Sequence, residues 1–229
     1  MTHGVEGRPG VAARHGAAIE ALGGFREVRV ACLKGEPTLE RALDGVRAPV
    51  HAVPLLLADG FIMDLLRRRL EDRPEVTLHP PLGQHPGLIG LARRKALEAC
   101  AGKGWGPGEA TLLLVGHGTP RHPRSTATTE AAAAAIAAGA LFKSVRTAYL
   151  DQGSYLAEVA GGLRDGPCVA VGLFMDEGPH GRDDVLEGLQ AAPVPVAYAG
   201  PIGGDGAVVK LILAQAGTSA QPRERVDAE

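Results

Sequence analysis

The stretch Thr111-Leu-Leu-Leu-Val-Gly-His117-Gly-Thr-Pro-Arg-His-Pro-Arg-Ser125 decides the fold of this chain. Its consecutive apolar residues, Leu112 to Val115, predict a strand that is buried on both faces, as in a parallel sheet. Glycines on either side of His117 allow a sharp turn, and an alanine-rich helix is predicted after Ser125. His117 therefore follows the carboxyl end of a buried strand, where open α/β sheets bind their ligands. This histidine is predicted either to act as a ligand or base, or to make only a local hydrogen bond in its loop.

The composition is that of an ordinary globular protein. The 229 residues allow one large domain or two of about a hundred residues each. A net charge of −2 and an aromatic content of 3% give no reason to expect nucleic acid or a membrane as partner. No apolar run is long enough to span a bilayer and no signal peptide is recognised, so we expect a cytoplasmic protein. Cys32, Cys100 and Cys168 lie far apart and are predicted to be small buried residues.

The chain contains an internal repeat. Its matching segments occur in the same order: His3-Gly4 with His117-Gly118, Phe25–Leu33 with Phe142–Leu150 (142 − 25 = 117), Val50–Gly60 with Cys168–Gly178 (168 − 50 = 118), and Pro80–Gly83 with Gly200–Gly203. Any one match can arise by chance, but a set in one order indicates two homologous units.

Each unit alternates strands and helices, which predicts an α/β fold of two tandem three-layer units with parallel sheets, related by a pseudo-twofold axis with a cleft between them. The predicted strands lie near 27–33, 50–57, 75–79, 111–116, 144–150, 168–175 and 194–199, and the predicted helices near 9–23, 37–46, 61–72, 86–101, 125–140, 154–164, 181–190 and 205–216. The predicted domains are residues 1–104 and 105–216, followed by a disordered tail at 217–229. Because two units are already fused, we expect a monomer.

The first unit lacks a counterpart of the strand at 111–116. Only Met1 and Thr2 precede His3. Either the start codon is misplaced and the strand is encoded upstream, or this half has lost the strand. We expect the first half to be the weaker site.

Three metal-capable residues follow consecutive strands of the second unit: His117, Asp151 and His180. The carboxyl ends of parallel strands meet at one edge of a sheet, so these side chains are predicted to converge. Two imidazoles and a carboxylate suit Co²⁺, Fe²⁺, Ni²⁺ or Zn²⁺ and leave positions open for a substrate. Asp151 has an alternative role, because acids at strand ends also cap helices or pair with arginine. In the first unit Lys34 and Ile62 replace Asp151 and His180, so that unit is predicted to form only a wall of the cleft.

Other polar residues have less definite roles. His79 and His85 either face the same cleft or pack in their loops, whereas His15 and His51 are predicted to be structural. Basic residues near the strand ends either bind a polyanionic small molecule or are solvated surface charges: Arg93, Arg94, Lys95, Arg121, Arg124 and Arg182. Neither a Walker loop nor a dinucleotide fingerprint is present, so no nucleotide cofactor is expected.

These motifs together resemble the class II, ATP-independent tetrapyrrole chelatases, specifically sirohydrochlorin cobalto- and ferrochelatases of the CbiX type in their long, two-repeat form. The matching segments are Leu112 to Thr119, the strand that ends in Asp-Glu-Gly-Pro-His180, Val53 to Gly60, Lys34-Gly-Glu-Pro37 and Pro81 to Pro86. They cover nearly the whole chain, and their order and duplication make the set specific.

The resemblance implies that His117 and His180 are the catalytic, metal-binding residues and that Asp151 assists them. It implies insertion of Co²⁺ or Fe²⁺, with Ni²⁺ also conceivable, into sirohydrochlorin in cobalamin or siroheme biosynthesis, without ATP. The metal ion is then a substrate, and the tetrapyrrole polycarboxylate is the other partner. The broken histidine pair at Ile62 implies that the active site lies in the second half.

Two other functions remain open from the sequence. One is a non-catalytic carrier of a divalent metal that uses the same histidines without binding a tetrapyrrole. The other is a phosphoryl-transferring α/β enzyme with His117 as nucleophile, which needs Arg121 and Arg124 close to that histidine.

Overall fold

The computed structural model describes residues 1–2, 9–120 and 126–217. Its strands are β1 (Val50–Ala52), β2 (Val76–Leu78), β3 (Thr111–Gly116), β4 (Ser144–Tyr149), β5 (Cys168–Gly172) and β6 (Val196–Pro201). Its helices are α1 (Val11–Leu22), α2 (Leu39–Leu43), α3 (Phe61–Arg69), α4 (Gly87–Lys103), α5 (Ala127–Ala137), α6 (Leu156–Gly161), α7 (Val185–Leu189) and α8 (Val208–Gln215). A turn of π-helix, His180–Asp184, leads into α7. The predicted α/β fold with parallel sheets is confirmed.

The second half forms a four-stranded parallel sheet in the order β4-β3-β5-β6. All residues of β3 are buried. Leu112 and Leu114 pack into one apolar cluster, and Leu113 and Val115 pack into another on the opposite face. Alternate residues of a strand point to opposite faces, so β3 is covered on both sides, as its apolar run predicts.

The first half is less regular. In the described part of the chain its sheet consists of β1 and β2 alone. The strand predicted at 27–33 does not form, since this segment makes only isolated bridges from Cys32 to Thr2 and to Thr38. The physical reason is the missing neighbour: β4, the counterpart of this segment, is held along its whole length by β3, and a strand is stable only when its backbone groups are paired.

The repeat extends to individual backbone hydrogen bonds. In the first half, Leu55 N–H donates to Met1 O (2.6 Å), and in the second half Leu173 N–H donates to Val115 O (2.7 Å). Likewise, Leu33 N–H donates to Thr2 O (3.0 Å) and Leu150 N–H donates to Gly116 O (3.2 Å). Met1 and Thr2 therefore occupy the positions that Val115 and Gly116 have in the second half. The first half therefore has two residues in the place of the carboxyl end of β3.

The last helix of each half packs against the other half. Helix α4 contacts β5 and β6 of the second sheet, and α8 contacts α1. At the second contact, Val209 and Leu213 pack on Ile19. We call this arrangement the helix exchange. It leaves one large apolar core that contains residues of both halves, and the division of the chain at residue 104 stays a prediction.

Two smaller features complete the fold. Cys32, Cys100 and Cys168 are buried and free, as predicted, and burial raises the pKa of each thiol. In the described ranges, every helix is too short or too polar to cross a membrane.

Candidate metal centre

The two histidines of the second half meet at the carboxyl edge of its sheet. His117 directly follows β3, and His180 begins the π-helical turn that comes after β5. Since β3 and β5 are adjacent, the imidazole rings approach each other edge to face, with centroids 4.8 Å apart and planes inclined by 78°. The side chains of His117 and His180 are 43% and 61% exposed. The sequence prediction that these residues converge agrees with this geometry.

The hydrogen bonds of the two rings fix their tautomers. Nδ1–H of His117 donates to the carbonyl oxygen of Gly118 (2.7 Å). Nδ1–H of His180 donates to Oδ2 of Asp184 (2.6 Å). A carbonyl and an ionised carboxylate can only accept, so each neutral ring carries its proton on Nδ1 and keeps a lone pair on Nε2. Both Nε2 atoms are therefore in the form that binds a metal ion or accepts a proton.

Asp151 lies on the Nδ1 side of His117. Its Oδ2 atom is 3.5 Å from Nδ1, and its side chain is 60% exposed. It therefore stands near the orienting carbonyl of Gly118 and not at the Nε2 lone pair. Over residues 1–2, 9–120 and 126–217, no group of three or more His, Cys, Asp or Glu side chains is arranged to hold a metal ion. The structure thus brings Asp151 beside His117 without assembling the predicted three-ligand set.

Contacts from β4 and α5 shape the His117 loop. Gly118 has a φ of +70°, and a Cβ there would lie 2.9 Å from Cβ of Gln152, so only glycine fits this position. Gln152 in turn accepts a hydrogen bond from the amide of Thr119 (2.8 Å). The ring of Tyr149 lies against the loop, and its hydroxyl bonds Glu130. Burial, more than this bond, raises the pKa of Tyr149.

Asp184 and Gln152 are residues that the sequence interpretation missed. Asp184 lies four positions after His180 in a helical turn, and residues at this spacing share one helix face. This i, i+4 spacing is visible in the sequence. An acid in the first turn of a helix, however, is commonly explained by its favourable interaction with the helix dipole, so the spacing alone does not indicate a partner for His180. Glu177, the acid three positions before His180, pairs its carboxylate with Arg14 (2.9 Å).

Three histidines of the first half make local contacts: His51 on β1, His79 directly after β2, and His85 ahead of α4. Nε2 of His79 is 2.9 Å from Nδ1 of His51, and the two rings stack with centroids 5.2 Å apart. Burial, and secondarily His51, lowers the pKa of His79. Nδ1 of His85 accepts the amide of Gly87 at the start of α4 (3.0 Å). These contacts agree with the interpretation of His79 and His85 as loop residues.

His15 is structural, as predicted. It is buried in α1, and its Nε2–H donates to the carbonyl oxygen of Gly203 (2.7 Å). Because α1 belongs to the first half and Gly203 to the second, this bond holds the halves together.

In the first half, apolar residues occupy the positions that correspond to His180 and Asp184 of the second half. Ile62 is at the position of His180 and Leu66 at that of Asp184 (180 − 62 = 184 − 66 = 118). Leu66 is fully buried, and the Lys34 side chain is exposed. His3, the counterpart of His117 in the repeat, lies outside the described residues.

The basic residues divide into free and paired ones. Arg182, beside His180, and Arg93 are exposed. Arg94 bonds Glu98 (2.6 Å) and Asp205 (2.7 Å), which raises its pKa, so its charge is already compensated. Arg121, His122 and Arg124 lie outside the described residues.

Known proteins share this architecture. A probable sirohydrochlorin cobaltochelatase of Halobacterium salinarum is 26% identical over 215 residues, which span 81% of this chain and 73% of that protein. The solved CbiX that is described as the terminal enzyme for biosynthesis of siroheme in denitrifying bacteria has a TM-score of 0.74 and 25% identity, and the match covers 93% of this chain and 95% of that one. SirB from Bacillus subtilis with Fe³⁺ shares the fold, with a TM-score of 0.73, 19% identity and coverage of 93% and 91%.

The match to a family model follows the internal repeat. The CbiX model matches residues 3–99 and again residues 111–219, which are the two units that the matching segments predict. The edge-to-face histidine pair lies in the second of these matches. Because the model covers both halves, the protein belongs to the CbiX family of class II chelatases, as its motifs indicate.

Proposed function

We propose that this protein inserts Co²⁺ or Fe²⁺ into sirohydrochlorin without ATP, and that His117 and His180 receive the metal ion. The observation that carries the proposal is the pair of adjacent imidazoles, each with Nδ1 held by an acceptor and a lone pair left on Nε2. The relatives support the substrates, since one is named a probable sirohydrochlorin cobaltochelatase and another is a siroheme enzyme.

Two ligands hold a metal ion loosely, which suits transfer. A closed site of four protein ligands retains its ion, whereas an open site leaves positions for an incoming group. His117 and His180 supply two nitrogen ligands at an exposed edge, so the pyrrole nitrogens can replace them one at a time. Co²⁺ and Fe²⁺ both accept imidazole ligands.

The same imidazoles can remove protons. Two pyrrole N–H protons must leave the macrocycle as the divalent ion enters. When an Nε2 atom releases the metal, its lone pair becomes available to accept one of these protons. The resulting imidazolium of His180 is stabilised by the Asp184 carboxylate, and that of His117 by the carbonyl of Gly118 and by Asp151. In this proposal Asp151 orients and stabilises, rather than binding the metal.

Charge also favours a polycarboxylate substrate. Arg182 is exposed next to His180, where its guanidinium can pair with a carboxylate in a forked geometry. The chain has few aromatic residues, 3% of the total, so a large apolar clamp for a macrocycle lacking carboxylates is not expected.

The proposal is tested by incubating the protein with sirohydrochlorin and Co²⁺ or Fe²⁺ and following the absorption bands of the macrocycle. We expect insertion well above the uncatalysed rate, with a loss of at least ~100-fold in His117→Ala and His180→Ala. His51→Ala is the matched control, because it removes an exposed histidine of the first half, and it should retain the parent rate.

The alternative functions give other results. Tight metal binding that is lost in the same variants, without acceleration by the parent protein, would establish a metal carrier instead. A phosphoryl-transferring enzyme would need Arg121 and Arg124 around His117, and these arginines fall outside the described residues.

A further inference from the structure

Two histidines of the first half form a second close pair. His51 lies on β1 and His79 directly follows β2, and these two strands are neighbours in a parallel sheet. His51 is opposite Thr77, and residues two apart on a strand point to the same face, so His51 and His79 project from one face of the sheet. His51 is exposed and His79 is half-buried. We call these two residues the strand histidine pair.

The backbone holds the strand histidine pair in position. The amide of His79 donates to the carbonyl oxygen of Ala52 (2.9 Å), which joins the carboxyl ends of β1 and β2. The side chain of Gln215, in α8, donates to the carbonyl oxygen of Pro80 (3.1 Å) and so anchors the residue that follows His79. Ligands that a fold has already positioned lose little conformational entropy when an ion binds.

The facing nitrogens of the pair are as far apart as two ligands of one metal ion. Nδ1 of His51 is 2.9 Å from Nε2 of His79, and the rings stack with centroids 5.2 Å apart and planes inclined by 28°. An ion placed ~2.0–2.1 Å from both nitrogens would make an N–metal–N angle of about 90°. This is the angle between neighbouring ligands in a tetragonal site, which suits Cu²⁺ or Ni²⁺ better than Zn²⁺ with its tetrahedral preference.

The protons of the two rings allow an ion to enter. In the neutral pair one facing nitrogen carries a proton and donates it to the other. If the donating ring moves this proton to its outer nitrogen, both facing lone pairs become available to a metal and no proton is lost. Burial, more than the neighbouring His51, lowers the pKa of His79, which favours its neutral ring. Within the described ranges no third His, Cys, Asp or Glu completes a metal site here, so water would supply the other ligands.

The strand histidine pair is not a copy of the candidate metal centre. His117 and His180 follow strands of the second sheet. At the position of His51 the second half has Val169 (169 − 51 = 118), which is fully buried. The pair therefore belongs to the first half alone, and its chemistry is independent of the proposed insertion reaction.

We propose that the strand histidine pair is a second metal site, which binds Cu²⁺ or Ni²⁺ in place of the proton that the two rings share. Affinity at nitrogen ligands rises from Fe²⁺ through Co²⁺ and Ni²⁺ to Cu²⁺. This site therefore favours ions other than the Co²⁺ or Fe²⁺ of the proposed reaction, and it takes no part in metal insertion.

The test starts from a variant with His117→Ala and His180→Ala, so that its result does not depend on the proposed function. Cu²⁺ binding is measured by isothermal titration calorimetry, before and after a further substitution. We expect His51→Ala and His79→Ala each to weaken this binding by at least ~10-fold, because the ion loses one of two protein ligands. His85→Ala is the matched control, since it removes a first-half histidine outside the pair and should leave the affinity within about twofold.

A second substitution separates metal binding from hydrogen bonding. In His51→Gln the amide can still form a hydrogen bond with His79 but is a poor ligand for Cu²⁺. We expect this variant to lose Cu²⁺ affinity as His51→Ala does, while its unfolding midpoint stays closer to that of the parent protein. A Cu²⁺ affinity restored by glutamine would contradict the metal site.

Nuclear magnetic resonance gives a measurement on the unsubstituted protein. Substoichiometric Cu²⁺, which is paramagnetic, should broaden the ring signals of His51 and His79 together. Cu²⁺ affinities within about twofold of each other with and without His51 and His79, and ring signals that stay sharp, would overturn the proposal. The pair would then be only a hydrogen bond between two strands.

Discussion

The two halves of this protein share the arrangement of their backbone. They differ at the helical segment that follows β1 in the first half and β5 in the second half. In the second half His180 and Asp184 lie one turn apart on an exposed face. In the first half Ile62 and Leu66 occupy these positions in α3, and Leu66 is fully buried. The comparison shows that the same backbone arrangement can expose the start of this helix to a ligand or bury it in the core. The proposed metal site of the second half therefore depends on a few residues at the helix start, and not on the backbone arrangement that both halves share.

The largest expected effect comes from copying the site into the first half. Ile62→His with Leu66→Asp should lower the free energy of unfolding by at least ~4 kcal/mol, because the core loses a leucine and gains a buried carboxylate. Urea denaturation measures the change. The reverse exchange, His180→Ile with Asp184→Leu, alters exposed residues and should change stability by less than ~1 kcal/mol. A stable first-half variant that binds a second Co²⁺ ion would contradict the contrast between the halves.

The next largest effect is expected at two glycines, one in each half, that lie in close contact with a neighbouring backbone segment. A Cβ at Gly83 would lie 1.8 Å from the carbonyl oxygen of Leu57, and one at Gly203 would lie 2.3 Å from the carbonyl carbon of Met175. We expect Gly83→Ala and Gly203→Ala each to destabilise the protein by ~3 kcal/mol, as measured by urea denaturation.

Gly90 provides the control for these substitutions. It lies inside α4 with open space around it, so Gly90→Ala should be neutral or stabilising by up to ~1 kcal/mol. A tolerated alanine at only one of the two close contacts would show that the halves do not share this constraint.

A substitution of Asp184 tests the histidine–carboxylate pair of the second half, which Ile62 and Leu66 replace in the first half. Asp184→Asn keeps the shape of the side chain but removes the carboxylate that orients His180. We expect Co²⁺ affinity to fall by ~10–100-fold, measured by isothermal titration calorimetry, while the unfolding midpoint stays unchanged. Asp183→Asn changes a neighbouring exposed acid and should leave the affinity within about twofold. If Asp184→Asn and Asp183→Asn lowered the Co²⁺ affinity equally, the effect would come from the loss of a negative charge near the site and not from the hydrogen bond to His180.

The smallest expected effect concerns the end of the first half. The pKa of the buried Met1 amino group is lowered from 8.0 to about 6, so between these values the unfolded chain binds a proton that the folded protein does not. Stability should then rise with pH from about 6 to 8, by ~1–2 kcal/mol from this group. A variant with Ser-Glu-Ser-Glu inserted between a new initiating methionine and Met1 moves the charged amino group away from this buried place, so its unfolding midpoint should rise less across this pH range. Identical pH profiles for both proteins would contradict the burial of a free amine.

Much of the architecture could be predicted from local patterns. The apolar run before His117 fixes a central strand, the matched segments fix the repeat, and the position of strand ends brings His117 and His180 together. These features depend on residues close in sequence or on a general rule of parallel sheets.

Other features depend on partners that no local pattern reveals. The segment at 27–33 has the residues of a strand, but among the described residues it has no neighbouring strand over most of its length, so it forms only isolated bridges. Asp151 follows a strand as expected, yet the turn after β4 directs its carboxylate to Nδ1 of His117. The apolar stripes of α4 and α8 predict helices without indicating which sheet each one covers.

The helix exchange has a consequence for synthesis on the ribosome. Translation delivers domains in order, and an autonomous amino-terminal domain can fold while the rest is being made. Here α8, which packs on α1 of the first half, is synthesised after every other helix in the described part of the chain. The contact between α1 and α8 can therefore form only after the second half has been translated. We expect the first half to reach its final packing together with the second half, and not ahead of it.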